Sequence, residues 1–208
     1  MVGTRNLAAS IACAVRVFGI LWLRTSKRTG DLLSDQDSNP PISTGGGDDG
    51  TTTLLGSGRM GKDDLKIIVV GDLDEASSFL GLARVEADGE IGGLVIELQR
   101  LLYRVMGDVA MPKEDNVVGE QDLKFLDDAL EEWRSRTEIP KEFVVPGESR
   151  PGALLDVART VTRRAERSLV AAGYAAGHPY AVRVVNRLSD LLFVLARNAD
   201  GEKTLSKG

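Results

Sequence analysis

The sequence is poor in the residues from which many catalytic and metal sites are built. Among its 208 residues it has one cysteine, Cys13, and one histidine, His178. One cysteine excludes an intramolecular disulfide and a cysteine-rich metal site, and one histidine excludes a site with several histidine ligands. His178 stands beside Pro179 in a predicted loop, a position that disfavours a histidine-based catalytic triad.

Long hydrophobic runs and an excess of positive charge are also missing. The apolar stretch at residues 11–23 is interrupted by Arg16, and it is too short to span a bilayer. The formal net charge is -5, whereas general nucleic-acid binders are broadly basic. We therefore expect no integral membrane segment and no nucleic-acid partner.

Residues 1–42 differ in composition from the rest of the chain. The basic residues between positions 5 and 28 have no acidic neighbour in that stretch, and residues 31–41 read as a polar linker. A targeting presequence, a membrane-surface helix and an extension without a role remain open, and we favour the last. We predict an N-terminal extension at 1–42, a helical bundle at 43–200 and a tail at 201–208. The expected location is cytoplasmic, or the mitochondrial matrix if residues 1–42 are a presequence.

Residues 44–53, with the sequence TGGGDDGTTT, are rich in glycine and threonine. Such a segment can place backbone N–H groups and hydroxyls around phosphate oxygens. It is not a Walker loop, because no Gly-Lys-Ser/Thr follows it. A flexible loop without a ligand is the alternative interpretation.

Apolar residues recur at three- and four-residue spacing through the rest of the chain, which is typical of amphipathic helices. Asp72 is the predicted N-cap of the first helix, with Glu75 at the capping-box position. The later helices are predicted at about 93–109, 121–136, 153–172 and 180–199. Residues 67–70 fit a short strand or a first helical turn. Residues 143–149 are predicted to form an extended segment followed by a turn. Without a convincing strand pair, we predict an all-α fold with five helices in a bundle.

The helix predicted at 153–172 carries a row of arginines. Arg159, Arg163 and Arg167 are four residues apart and lie on nearly one line, with Arg164 about 100° from Arg163. Only Glu166 stands among them as an acid, close enough to orient the Arg163 guanidinium. The planar fork of arginine matches phosphate oxygens, so the row indicates a polyphosphate site. A solvated basic face or a row of ion pairs between subunits is the alternative.

Three blocks of sequence, taken together, resemble the PduO-type ATP:cob(I)alamin adenosyltransferases. They are residues 44–62, residues 71–83 with the Asp74-Glu75 pair, and residues 158–167 followed by 186–190. The resemblance implies a five-helix bundle that forms a homotrimer with active sites between subunits. It also implies transfer of the 5′-deoxyadenosyl group of ATP, accompanied by Mg²⁺, to the Co(I) of a reduced corrinoid such as cobalamin. Cobalt is then the nucleophile, which agrees with the lack of an obvious protein nucleophile, and triphosphate leaves.

The resemblance assigns roles to individual residues. Arg163 would hold the triphosphate, Phe143 would cover the lower cobalt face, and Asp190 would lie near the corrinoid. Arg159 is similar to an arginine that pairs with an acid of a neighbouring subunit, here Asp74. A reductase or an adenosylcobalamin-dependent enzyme is an expected partner. The residues implied in ATP binding are Thr44, Gly45, Gly46, Gly47, Thr52, Thr53, Lys62, Arg163, Arg164, Glu166, Arg167 and Asn186.

The departures from the family pattern include Glu148, which stands where a Gly is common, and two positions that lose positive charge. Gly45 stands where family members usually have Lys or Arg, and Asp49 replaces a common Lys. The loss of positive charge predicts weaker ATP binding rather than a different fold. It is also the support for the alternative function, a non-catalytic ATP-binding module that senses nucleotide or delivers corrinoid.

Overall fold

The computed structural model describes residues 43, 45–54, 58–87, 89–111, 116–201 and 204–206. The predictions for residues 1–42 and for Thr44 lie outside these described residues. The chain divides into two compact units, residues 1–61 and residues 62–208.

The first unit contains a small antiparallel hairpin. Strand β1, Thr51–Thr53, pairs with strand β2, Arg59–Gly61, and Thr52 lies opposite Met60. The expectation of no strand pair was therefore wrong. Threonine favours extended backbone, but strands of three residues are too short for an alternating pattern to reveal them.

The second unit is helical, as predicted. Its described residues form five long helices and one short one. None of these helices is long and apolar enough to cross a membrane. The helices are α1 (Leu65–Glu86), α2 (Gly89–Ala110), α3 (Glu120–Ser135), α4 (Arg150–Ala171), α5 (Tyr174–Gly177) and α6 (Pro179–Asp200).

Helix α1 begins earlier than predicted. Asp64 is the N-cap, and its side chain accepts a hydrogen bond from the Lys66 N–H at 2.9 Å. Residues 67–70 are therefore helical, and Asp72 lies about two turns inside the helix. Asp72 and Glu75 imitate a capping box in the sequence, but in the structure both contact Arg164 of α4.

Helix α4 begins at Arg150, three residues before the predicted start. The Ser149 hydroxyl accepts the Gly152 N–H at 3.0 Å, and Pro151 occupies the first turn, where no N–H donor is needed. The predicted segment 153–172 excluded this turn because it contains Pro and Gly.

The apolar stripes of the long helices meet in one core. Helix α4 packs against α1 and α6, while α2 packs on α1 and α3 on α6. This packing places the arginine helix at the centre of the bundle, with a buried apolar side and a polar side. The predicted stripe residues that are buried include Leu73, Leu80, Leu98, Leu102, Leu126, Trp133, Val161, Leu169, Leu188 and Leu192.

His178 has a structural role that the loop prediction missed. It is buried between α5 and α6, and its Nε2 lies 2.9 Å from Oδ2 of the buried Asp108. Asp108 also accepts the N–H groups of Val117 and Val118, each at 2.8 Å. The carboxylate therefore ties the end of α2 and the approach to α3 to the start of α6.

Candidate functional site

A cleft of about 450 Å³ lies between α3, α4 and α6. Its lining combines four arginines and one acid with four apolar side chains, so it favours a ligand that has both an anionic and an apolar part. A depression on α3 is of similar size, but it is lined by two acids and one arginine. The residues of the cleft are Leu130, Arg134, Ile139, Arg159, Arg163, Arg187, Ser189, Asp190, Phe193 and Val194.

Arg163, like Arg134, is an arginine of the cleft that can receive an anion. Its side chain is exposed, and none of the described acids forms an ion pair with it. Its backbone carbonyl accepts a hydrogen bond from Arg167 at 3.1 Å. The guanidinium of Arg163 is thus free to bind an oxyanion through two parallel hydrogen bonds.

Arg164 lies on another side of α4 and is already neutralised. Its Nε lies 3.1 Å from Oδ1 of Asp72, and its Nη2 contacts Glu75, so two carboxylates of α1 surround one guanidinium. The arginine row is therefore divided between the cleft and the contact with α1.

Glu166 and Asn186 join α4 to α6. The Asn186 amide donates to Oε1 of Glu166 at 2.9 Å. Glu166 therefore contacts Asn186 rather than orienting Arg163 as the spacing suggested. The structure brings these two predicted residues together, one turn along α4 from Arg163.

Asp190 lines the cleft beside Arg187, which was not among the predicted site residues. Arg187 forms ion pairs with Asp190 on its own helix and with Asp127 on α3. Arg187 therefore fixes α3 to α6 at the cleft wall. Its place within the Asn186–Asp190 block was the signal that could have identified it.

A buried ionic cluster supports Arg159. Oδ1 of Asp156 accepts from Nε of Arg159 at 2.9 Å, and Oδ2 contacts Arg197, whose side chain is 1% exposed. Arg197 also lies 2.9 Å from Oδ2 of Asp200. This cluster was not predicted from the sequence, because a buried arginine on an apolar face gives no pattern of its own.

Phe143 does not line the cleft. It lies in the segment that connects α3 to α4, and the residue is 86% exposed. The aromatic ring within the cleft belongs to Phe193 of α6. The structure thus brings Arg159, Arg163 and Asp190 together and leaves Phe143 on a separate exposed segment.

The glycine-rich loop of the first unit is a defined turn with its own cation. Gly45 has a φ of 65°, and its carbonyl accepts the Asp48 N–H at 3.2 Å. Arg59 of β2 donates to the Gly46 carbonyl at 2.7 Å and to Asp49 at 2.9 Å. Arg59 was not predicted as a site residue, because its approach depends on the undetected hairpin.

Asp49 is held as a carboxylate in this loop. The Thr51 hydroxyl and N–H donate to it at 2.7 Å and 3.0 Å. These hydrogen bonds, followed by the nearby Arg59 guanidinium, hold the pKa of Asp49 below its ordinary value. The negative charge of Asp49 is thus compensated locally by Arg59.

Lys62 begins the second unit. Its side chain is exposed, and no hydrogen bond or ion pair joins it to another described residue.

One family model matches most of the chain. This model, described as cobalamin adenosyltransferase, matches residues 42–199. The chain belongs to the cobalamin adenosyltransferase family. The predicted family is therefore confirmed, and the helical bundle described above is its fold.

Curated relatives of this family member come from several bacteria. A cobalamin adenosyltransferase of Cupriavidus metallidurans is 41% identical over 159 residues, covering 75% of this chain and 86% of the relative. A corrinoid adenosyltransferase of Bacillus subtilis is 38% identical over 159 residues, covering 73% and 82%.

Solved structures of a PduO-type ATP:corrinoid adenosyltransferase from Lactobacillus reuteri have the same fold as this family member. A phenylalanine-to-alanine variant complexed with cobalamin and ATP has a TM-score of 0.73 at 28% identity, covering 81% of this chain and 100% of that one. An arginine-to-lysine variant complexed with ATP has a TM-score of 0.72 at 28% identity, covering 80% and 100%.

Proposed function

We propose that this protein transfers the 5′-deoxyadenosyl group of ATP to the Co(I) of a reduced corrinoid, with Arg163 binding the triphosphate. Family membership and the similar structures that contain ATP and cobalamin support the reaction. The observation that carries the assignment of Arg163 is that it belongs both to the arginine row of α4 and to the cleft, and that its guanidinium pairs with no described acid.

The chemistry requires positioning and charge neutralisation from the protein. The Co(I) electron pair forms the bond to C5′ of ATP, and the C5′–O5′ bond breaks with its electrons leaving on triphosphate. Negative charge grows on the leaving oxygen, where a preorganised guanidinium stabilises the transition state. We propose that Arg163 supplies this guanidinium, with Arg164 and Arg167 beside it on α4, while Asp190 contacts the corrinoid.

Magnesium is proposed to arrive as part of the MgATP substrate. The described residues contain no group of three or more His, Cys, Asp or Glu side chains suited to a metal. Mg²⁺ commonly keeps several waters and is held by phosphates with one or two carboxylates. Glu166, with Asn186 beside it, can offer one such carboxylate or bind the ribose.

The glycine-rich loop is a second proposed phosphate-binding element. Its N–H groups, the hydroxyls of Thr52 and Thr53, and Lys62 are donors suited to phosphate oxygens. Arg59 adds a guanidinium to the loop. Thr44 and Arg164 complete the proposed ATP contacts. For Arg164, this contact requires ATP to displace the carboxylates of Asp72 and Glu75 on α1.

The reaction is tested by incubating the protein with ATP and chemically reduced cobalamin without oxygen. We expect the absorbance change of a new cobalt–carbon bond, reversed by light. The same mixture without ATP is the control. A folded protein that binds ATP but forms no such bond would instead be the non-catalytic ATP-binding module.

A homotrimer with active sites between subunits is part of the proposal. Asp74 is exposed on α1 and has no ion-pair partner among the described side chains. Arg159 is 24% exposed, and only its Nε is used by Asp156. The two side chains therefore suit a contact between subunits.

Exchanging these two charges tests the contact. Arg159→Asp or Asp74→Arg alone should lower both assembly and activity, because each places like charges together. The double exchange should recover part of the loss, with recovery limited because Asp156 also needs the Arg159 charge. Sedimentation and turnover measure both effects, and single variants that remain active trimers would contradict the pairing.

The proposed protein partners follow from the reaction. A reduced corrinoid is consumed, so we propose a reductase as a partner and an adenosylcobalamin-dependent enzyme as a recipient of the product. We propose a cytoplasmic location, or the mitochondrial matrix if residues 1–42 are a presequence.

Phe143 is proposed to cover the lower face of cobalt during reduction. A lower ligand raises the energy of the cobalt orbital that accepts the electron, so an apolar ring that excludes this ligand makes Co(II) easier to reduce. Phe143→Ala should sharply lower adenosylation that starts from Co(II) with a mild reductant. It should affect adenosylation from preformed Co(I) much less. Equal losses in the two assays, with a lowered melting temperature, would indicate a purely structural ring.

A further inference from the structure

The segment that carries Phe143 is paired with the C-terminal end of the chain. The Val145 N–H donates to the Thr204 carbonyl at 2.9 Å, and the Ser206 N–H donates to the Phe143 carbonyl at 2.8 Å. Val144 and Leu205 lie opposite each other between these bonds in an antiparallel bridge. The backbone of Phe143 is therefore held directly by residues 204–206.

The same end of the chain holds the segment at a second point. The Ser149 N–H and hydroxyl donate to Oδ1 of Asp200 at 3.2 Å and 3.1 Å. Gly152 permits this approach, since a Cβ there would lie 1.9 Å from the same oxygen. Residues 143–149 are thus attached to the end of α6 at one end and to residues 204–206 at the other.

Side-chain packing does not hold the Phe143 ring, because 86% of its surface is exposed. In an extended segment, alternate side chains point to opposite faces. The pairing of Val144 with Leu205 therefore selects the face on which Phe143 and Val145 lie. A slip of one residue would move the ring to the other face.

We propose that residues 204–206 are a positioning element that places Phe143 for reduction of the corrinoid. This inference rests on the proposed role of Phe143. The step it assists is the transfer of one electron from a reductant, such as a reduced flavin, to Co(II), which gives Co(I). Residues 204–206 touch neither substrate in this scheme and act through the phenylalanine.

Ser206→Pro tests the proposal, because proline lacks the N–H that donates to Phe143. Ser206→Ala keeps that N–H and is the matched control. Both variants of the full chain are assayed with ATP, once with Co(II) cobalamin and reduced flavin and once with preformed Co(I). We expect Ser206→Pro to slow the Co(II) route about fivefold, the effect of one lost hydrogen bond. The Co(I) route and both routes of Ser206→Ala should stay near the wild-type rates.

A second pair of variants removes both hydrogen bonds. Ending the chain after Gly201 deletes residues 204–206, whereas ending it after Ser206 keeps them. The shorter chain should lose about tenfold or more in the Co(II) route alone. In a Phe143→Ala background neither Ser206→Pro nor the shorter chain should cause a further loss.

The outcomes separate this inference from the proposed function. The positioning role would be overturned if the Co(II) and Co(I) routes lost equal rates, or if the losses were additive in the Phe143→Ala background. It would also be overturned if neither Ser206→Pro nor the shorter chain slowed the Co(II) route. An active wild type whose Phe143→Ala variant reduces Co(II) normally would overturn it as well. A wild type that forms no cobalt–carbon bond from preformed Co(I) would instead overturn the proposed reaction.

Discussion

Arg163→Ala is expected to lower kcat/KM at least roughly ten- to hundredfold while the fold stays intact. A charge-assisted hydrogen bond contributes about 1.5–3 kcal/mol, and Arg163 can offer two to the triphosphate. Its exposed side chain has no ion-pair partner among the described residues, so its removal leaves no buried charge behind. Steady-state kinetics with ATP and preformed Co(I) cobalamin measures the loss.

Two further variants define the effect. Arg163→Lys keeps the charge but loses the planar fork, so its kcat/KM should lie between those of Arg163→Ala and the wild type. Arg150→Ala removes an arginine of the same helix that is 80% exposed and pairs with Glu86, and it should leave turnover unchanged. A folded Arg163→Ala protein with near wild-type kcat/KM would remove Arg163 from the site.

The largest loss of stability is expected from Arg197→Ala. The Arg197 side chain is 1% exposed and lies between the carboxylates of Asp156 and Asp200, which are 4% and 0% exposed. Its removal leaves two buried carboxylates without their shared counter-charge. Breaking a buried ion pair in this way costs about 3–5 kcal/mol in the free energy of unfolding. Urea unfolding at a fixed protein concentration measures the change.

Lys124→Ala is the control for this effect. Lys124 pairs with Asp128 one turn away on α3, with both side chains more than 60% exposed, and water screens such exposed pairs so that they contribute little to stability. If Arg197→Ala shifts the unfolding free energy no more than Lys124→Ala does, the buried cluster contributes no more to stability than this exposed ion pair.

Local spacing accounts for most of the helical fold. The apolar stripes of α2, α3, α4 and α6 were visible because each repeats over several turns. The start of α1 was misplaced because Asp72 and Glu75 imitate a cap, and only the contact with Arg164 shows their other use. The hairpin was missed because its strands are three residues long.

The site was only partly accessible from the sequence. The row of arginines and the Asn186–Asp190 block identified one face of two helices, and the structure brings Arg159, Arg163 and Asp190 to the same cleft. The partners of these residues come from distant positions, as with Asp156 and Arg197, so no local pattern reveals them. The resemblance to a family, rather than geometry, supplied the chemical roles.

The buried contact between His178 and Asp108 provides an NMR probe of whether the bundle is folded. His178 is the chain's only histidine, so its imidazole gives a single set of nitrogen and carbon resonances. Those resonances report on the junction of α2, the approach to α3 and the start of α6, because Asp108 of α2 binds residues of the other two segments. Selective isotope labelling of histidine would thus follow the integrity of the bundle in every variant named above, without assignment of the rest of the spectrum.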